Sequence, residues 1–278
     1  IDGLRPEFYS SDRYPTPHLR FLAATGLAAQ SALGIFPSVT YPTHATLATG
    51  VRSARHGVVA NTRFDPTKGL TESWYWEASS IKTQTIWELA ERAGKKVALI
   101  SWPVTSGAGA TWTVPEIFPV PGLHTESGWA LTRQGASARS LKEMKEPENL
   151  KAFETFAGHD DWVVAEAVRV LKEGAPDLMY VHLLSVDAAQ HATGRESQLG
   201  RHALEHVDQL LKRLIDAVDL ASTTLIVLGD HGFSDVHTLL NVNGVFEKQG
   251  WVTRGADGKI QEWKILAQPS GGHAAVYV

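Results

Sequence analysis

The chain contains no cysteine. That excludes disulfides and every thiolate metal site, so any metal must be held by histidine, carboxylate or other oxygen ligands. It assigns no compartment. No apolar run reaches membrane-spanning length, and no Lys/Arg run is dense enough to argue for nucleic-acid binding through a basic face. The 278 residues are 43% hydrophobic and 20% charged, with a net charge of −4. This is an ordinary globular composition, with enough chain for one large domain and a substantial core. No internal repeat or low-complexity linker divides it, so a single domain over 1–278 is the simplest partition. Both ends read as cut. The chain opens on Ile1-Asp2-Gly3 with no initiator Met and stops inside the apolar run Ala274-Ala275-Val276-Tyr277-Val278. A signal peptide ahead of residue 1 would not be visible.

Periodicity supplies the framework. Residues 16–26 read as a helix stopped by Gly26, 85–93 as a helix stopped by Gly94, and 160–172 and 198–218 as longer helices. Val97-Ala98-Leu99-Ile100, 178–184 and 223–228 read as buried strands. Strands alternating with helices of this length predict an α/β fold with a mainly parallel central sheet flanked by helices. The stretch 105–158, with Pro115, Pro119, Pro121 and Pro147, breaks the pattern and reads as an insertion or cap over one sheet edge. Trp74-Tyr75-Trp76 reads as core or lid packing in preference to ligand stacking.

The chemistry concentrates around residues 36–50, Phe-Pro-Ser-Val-Thr-Tyr-Pro-Thr-His-Ala-Thr-Leu-Ala-Thr-Gly. They read as the end of an apolar strand, a sharp turn holding Thr40, and a short helix closed by Gly50. Pro42 is expected to keep Tyr41 extended and to start the helix near Thr43, aiming its positive end at Thr40. Taken alone, Thr40 reads as a turn residue capping a helix. Asp2, Thr40, Asp187 with His191, and Asp230 with His231 each follow a predicted strand, on the edge where open α/β sheets bind ligands. Imidazole and carboxylate without thiolate suit Zn²⁺, with Mn²⁺ or Fe as alternatives. Asp187 and His191, four apart, share a face if the intervening turn is helical. Gly229 and Gly232 give adjacent Asp230 and His231 the freedom to meet one ion. Any one such pair alone reads as a solvated turn.

Asp2-Gly3-Leu4-Arg5, residues 36–50, Ser101-Trp102-Pro103, Asp187-x-x-x-His191-x-x-Gly194 and Gly229-Asp230-His231-Gly232-Phe233 together resemble the nucleotide pyrophosphatase/phosphodiesterase branch of the alkaline phosphatase superfamily. Residues 197–208 resemble the helix between its two metal motifs. The resemblance runs in order from residue 1 to about 235. It implies an alkaline-phosphatase-like fold whose C-terminal part is missing here. It also implies two divalent ions, zinc by family habit: one held by Asp2, Thr40, Asp230 and His231, the other by Asp187 and His191. Thr40 becomes the nucleophile of a phospho-threonine mechanism, made reactive by metal coordination, with two ions flanking an in-line displacement. The implied substrate is a small phosphorylated molecule, nucleotide-like, and the implied location periplasmic or secreted.

Two departures qualify the resemblance. Nucleotide-cleaving members usually carry Asn where this chain has Thr43, which bears on transition-state stabilisation and substrate choice. The family's second metal normally takes a further His from a Gly-x-His-Gly motif toward the C-terminus, and none occurs there. His273, in Gly271-Gly272-His273-Ala274, is a substitute candidate, although a strand is the better reading. Tyr41 stands where the family often sets an aromatic against the nucleobase; packing beneath the turn is equally consistent. The remaining histidines, including His44, His56, His182 and His237, read as structural or surface. Sulfatase chemistry is disfavoured by the lack of a Cys/Ser-x-Pro-x-Arg turn. Phosphomonoesterase chemistry is disfavoured by the lack of Arg between Val39 and Val51. A phosphonoacetate-hydrolase-like activity and a non-catalytic, metal- or phospho-ligand-binding relative stay open.

Overall fold

Val97, Ala98, Leu99 and Ile100 are all 0% exposed, and the fold is layered around them. The structure, a computed structural model, describes residues 1–119 and 124–278. Strand Val97–Ile100 lies at the centre of a parallel three-stranded sheet, between Trp112–Val114 and Leu178–Val181. Because side chains alternate between faces along a strand, Ala98 and Ile100 pack with Val163, Val164, Leu204 and Val207 of the helices Phe156–Gly174 and Gln198–Ile215. Val97 and Leu99 pack on the other face with Ala48 and Trp87, from helices Thr40–Thr49 and Ile86–Arg92. Helices thus cover both faces, as the strand–helix alternation predicts. The two-stranded pairs Thr62–Asp65 with Gly69–Trp74, Val252–Arg254 with Ile260–Trp263, and Leu266–Ser270 with His273–Tyr277 are antiparallel. Among the described residues, no helix is long and apolar enough to cross a membrane.

Local signals explain the helix ends. Thr85 caps the Ile86–Arg92 helix in a reciprocal box with Glu88. Gly50, at φ 69°, closes the Thr40–Thr49 helix in the left-handed conformation. Asp208, fully buried, accepts from the backbone N–H groups of His18 and Leu19 and so anchors the helix Pro17–Thr25.

Three expectations are corrected. The helix after the turn begins at Thr40, not near Thr43, and Thr43 N already donates to Val39 O at 3.1 Å. Pro42 therefore lies in the first turn, where a missing N–H forfeits no helical bond, and the steric bias on Tyr41 is overridden. The 36–50 motif does not begin as a strand end: residues 36–39 are irregular, and Phe36 is 77% exposed. Residues 223–228 also form no strand, and Ile226 is 74% exposed. Their aliphatic character favours an extended chain, but a strand needs a ladder partner. Toward the sheet edge they have a bond at 3.0 Å from the Ile1 ammonium to Leu228 O.

Those single bonds still extend the sheet edge. Asp2 N donates to Leu183 O at 2.8 Å, so residues 1–2 run beside the continuation of Leu178–Val181, with Leu228 beyond. In the 105–158 stretch, Trp112–Val114 is a sheet strand and Gly128–Gly135, Ala138–Glu143 and Leu150–Phe153 are short helices. Residues 120–123, with Pro121, lie outside the described residues. Trp74, Tyr75 and Trp76 pack on the buried group Tyr41, Ala45, Val58 and Val104.

Buried His159 gives this core a measurable acid sensitivity. Burial, reinforced by the charge of His182, holds its imidazole down at about 3 from the ordinary 6.5. Between those values the unfolded chain takes up a proton that the folded chain refuses. Stability therefore falls as pH falls, by about 1.4 kcal/mol per pH unit. Urea titrations across that window should show a shallower acid loss in His159→Gln than in the wild type. An identical slope would remove His159 as the cause.

Candidate functional site

The site is assembled where the sheet ends. Asp2 is 3% exposed and Asp230 4%. Gly3 brings them together: it adopts φ 65°, and its N–H donates to Asp230 Oδ1 at 3.0 Å. A side chain there would meet the Phe233 ring at 2.8 Å, so both conformation and space require glycine. Asp160 organises the other wall. Its carboxylate accepts from Leu184 N and Ser185 N, both at 2.9 Å, and so holds the start of the helix Ser185–Thr193. That helix carries Asp187 and His191 on one face, with Asp187 Oδ1 3.5 Å from His191 Nε2, as the four-residue spacing predicts.

His231 is the hub. Its Nε2 lies 3.3 Å from Asp2 Oδ1, 3.3 Å from Asp230 Oδ2 and 3.9 Å from Asp187 Oδ1. Thr40 Oγ1 is 3.4 Å from the same nitrogen and 3.5 Å from Asp2 Oδ2. Thr40 is also the first residue of its ten-residue helix, at the positive end of the dipole. Ligand atoms of Asp2, Asp230 and His231 all lie within 4.8 Å of one another, a group that could hold a metal ion. The structure thus brings Asp2, Thr40, Asp187, Asp230 and His231 together. His191 stands at the outer rim, its side chain 70% exposed and its ring against Phe233.

The other candidates lie elsewhere. His273 packs on the Phe36 ring, with centroids 4.9 Å apart, in the strand His273–Tyr277. Tyr41 is 1% exposed, its ring edge-on to Trp74 and its hydroxyl donating to Glu116 Oε1 at 3.0 Å. Thr43 is buried, and its Oγ1 has no hydrogen-bond partner. Of the histidines read as structural or surface, His56 pairs with Thr46 Oγ1 and His237 is exposed. His44 and His182 instead adjoin the cluster. His44 Nδ1 donates to Thr40 O at 2.8 Å and lies 3.8 Å from Asp230 Oδ2.

The electrostatics test whether a cation fits. Asp2 Oδ1, Asp187 Oδ1 and Asp230 Oδ2 are buried without hydrogen-bond partners, an arrangement that costs several kcal/mol unless a proton or cation compensates. Burial and the charge of Asp230 push the Asp2 carboxyl well up from its ordinary value. Burial likewise raises Asp187. Against burial, the imidazoles of His44, His231 and His182 hold Asp230 down. His231 is raised, against burial, by Asp230, Asp2 and Asp187. Orphaned oxygens, an imidazole hub and the absence of thiolate are a donor set for a hard or borderline divalent ion.

A model of the type I phosphodiesterase / nucleotide pyrophosphatase family matches residues 1–277. The chain belongs to that family. It is 26% identical to human ectonucleotide pyrophosphatase/phosphodiesterase family member 5 over 247 residues, covering 84% of this chain and 44% of the relative. It is 23% identical to an uncharacterized pyrophosphatase/phosphodiesterase of Schizosaccharomyces pombe over 285 residues, covering 93% and 50%. The chain therefore spans half or less of these relatives' length. In fold it is similar to phosphonoacetate hydrolase from Sinorhizobium meliloti in complex with phosphonoacetate. The TM-score there is 0.64 at 20% identity, over 89% of this chain and 60% of that one. It is also similar to an inactive form of murine ectonucleotide pyrophosphatase / phosphodiesterase 5 in complex with AMP. That TM-score is 0.52 at 23% identity, over 78% and 51%. Both likenesses fit the parallel sheet with helices on its two faces.

Adding zinc should raise the unfolding free energy of the wild type, by about 2.7 kcal/mol at a hundred times its Kd. Asp230→Asn keeps the oxygen that Gly3 N uses but removes the charge, and most of that gain should vanish. Equal zinc stabilisation of both proteins, read by thermal unfolding, would place the cation elsewhere.

Proposed function

We propose that the chain is the catalytic part of a metal-dependent hydrolase. It cleaves phosphodiester or pyrophosphate bonds of nucleotide-type substrates through a phospho-threonine at Thr40. The observation that carries this reading is Thr40 Oγ1, at a helix N-terminus, set against Asp2 and His231 within a cluster of orphaned carboxylate oxygens. Family membership supports the bond type. The AMP held by the murine relative supports a nucleotide, and a periplasmic or secreted location belongs to the same reading.

Asp2, Asp230 and His231 with Thr40 would hold one ion, and Asp187 with His191 a second; bound there, two zinc ions supply Lewis-acid charge to the reacting oxygens. The protein's own groups do the rest. Asp2 Oδ2 accepts the Thr40 hydroxyl at 3.5 Å and orients its lone pairs toward the phosphorus. Attack forms the Oγ1–P bond, passes the hydroxyl proton to Asp2 Oδ2, and breaks the P–O bond to the leaving group, which departs on the opposite side with the electron pair. Water then attacks phosphorus and gives up a proton to the departed leaving group, the Oγ1–P bond breaks, and the proton held on Asp2 returns to Oγ1. His44, donating to Thr40 O, keeps the turn from shifting during both steps.

The test is turnover of a chromogenic phosphodiester by the zinc-loaded protein, with a phosphomonoester and phosphonoacetate in parallel. Diester cleavage should dominate. Thr40→Ala should lower kcat by roughly 10⁴-fold or more while zinc stays bound. Unaltered turnover in that variant would reject Thr40 as nucleophile. No turnover of any substrate by metal-loaded wild type would leave a binding protein.

A further inference from the structure

Behind the cluster lies a line of buried polar groups that the steps above do not use. Glu116 is 3% exposed, in the segment that follows the strand Trp112–Val114. Both its oxygens are engaged: Oε1 accepts from the Tyr41 hydroxyl at 3.0 Å, and Oε2 meets His182 Nδ1 at 2.6 Å. A carboxylate of this kind accepts, so Nδ1 carries the hydrogen, and the short contact marks a charge-assisted bond. His182 is 1% exposed, one residue past the strand Leu178–Val181, and its backbone N donates to Ile100 O at 3.2 Å. Its ring is locked edge-on against His44, centroids 4.2 Å apart, and lies edge-on to Trp102 at 6.4 Å. Its Nε2 makes no hydrogen bond and is turned to Asp2 Oδ2 at 3.4 Å.

We infer that Glu116 and His182 are positioning residues that orient the Asp2 carboxylate and thereby set the affinity and placement of the ion at the Asp2–Asp230–His231 site. This deepens the metal reading above and rests on it. His182 lies outside the group of ligand atoms that approach within 4.8 Å of one another; it acts on the ion through Asp2. With Glu116 Oε2 fixing Nδ1 behind it, the imidazole is held in one orientation with its Nε2 against Asp2 Oδ2, so the carboxylate has a fixed neighbour on that side. Asp2 Oδ1 is then left facing His231 Nε2 at 3.3 Å. The line also returns to the nucleophile. Tyr41 is the neighbour of Thr40, and Thr40 Oγ1 reaches Asp2 Oδ2, so five residues close a ring. Partners of this kind behind a ligand are worth about 10–100-fold in metal affinity.

The experiment compares wild type, Glu116→Gln, His182→Gln, the double variant carrying both, and Tyr41→Phe. Zinc affinity is measured at one pH by competition with a chelating dye. The visible spectrum of the cobalt-loaded protein and the unfolding temperature of the metal-free protein are measured alongside. Glu116→Gln and His182→Gln should each weaken zinc by about 10–100-fold and shift the cobalt bands, while the double variant loses less than the two losses combined. Tyr41→Phe loosens only the outer bond, should show a smaller loss, and carries the test if a core variant does not fold. Zinc affinity and cobalt bands unchanged, with only the unfolding temperature lowered, would reduce the pair to core packing and overturn the inference. A wild type that binds neither metal would overturn both this inference and the metal reading. Those two failures differ in which protein shows them.

Discussion

Two carboxylates and one imidazole, buried at the end of a sheet, impose the constraint on which the rest of the structure depends. Asp2 and Asp230 each come within 3.3 Å of His231 Nε2, and both are nearly removed from water. Charges so placed repel one another in a medium that screens them poorly. The arrangement persists only if the surroundings hold it. The glycine turn at Gly3, the amides that Asp160 engages at the head of the Ser185–Thr193 helix, and the bond from Asp2 N to Leu183 O all serve that end. None of these contacts touches a substrate. They keep apposed groups that would otherwise separate.

The two-sided core provides the rigidity. Val97–Ile100 buries alternate residues against different helix pairs, so the sheet edge beyond Ile100 has little freedom to shift. Ser101 and Val104, just past that strand, adopt φ of 55° and 60°. For a β-branched residue such as Val104 this is a rarely populated conformation, maintained by surrounding packing. Val104 is fully buried with Tyr41, Ala45 and Val58. The same packing seats the Thr40–Thr49 helix, and through it the hydroxyl at its first position.

Much of this was legible in the residues because it is local. An unbroken apolar run announces Val97–Ile100, a four-residue spacing places Asp187 over His191, and Gly50 marks a helix end. The ligand candidates were read from their order along the chain, each after a segment expected to be a strand, although of those segments only Leu178–Val181, ahead of Asp187 and His191, is a strand in the structure. What escaped depends on partners distant in sequence. Residues 223–228 have strand propensity, but propensity does not supply a ladder. Pro42 biases Tyr41, but the first helical turn tolerates proline, and tertiary packing prevailed. Glu116 and His182 stand 66 residues apart, so no spacing rule joins them. One signal was available for His182: a polar residue between Val181 and Leu183 in a buried run must find a partner. Nothing local pointed to Glu116, between Pro115 and Ile117 in a stretch without periodicity.

The sequence separations inside the site bear on how the molecule comes into being. Gly3 meets Asp230 across 227 positions, Thr40 meets His231 across 191, and Tyr41 meets Glu116 across 75. Closing loops of such length before any contact rewards them is entropically unfavourable. The layered core, built from nearer neighbours, closes at a lower entropic cost than the cluster, which is complete only with the 230–231 turn docked on residues 1–3. Capacity to hold an ion is in that sense a signature of completed folding. A chain that has its helices and its sheet, but has not yet docked that turn, would be compact, helical and chemically inert.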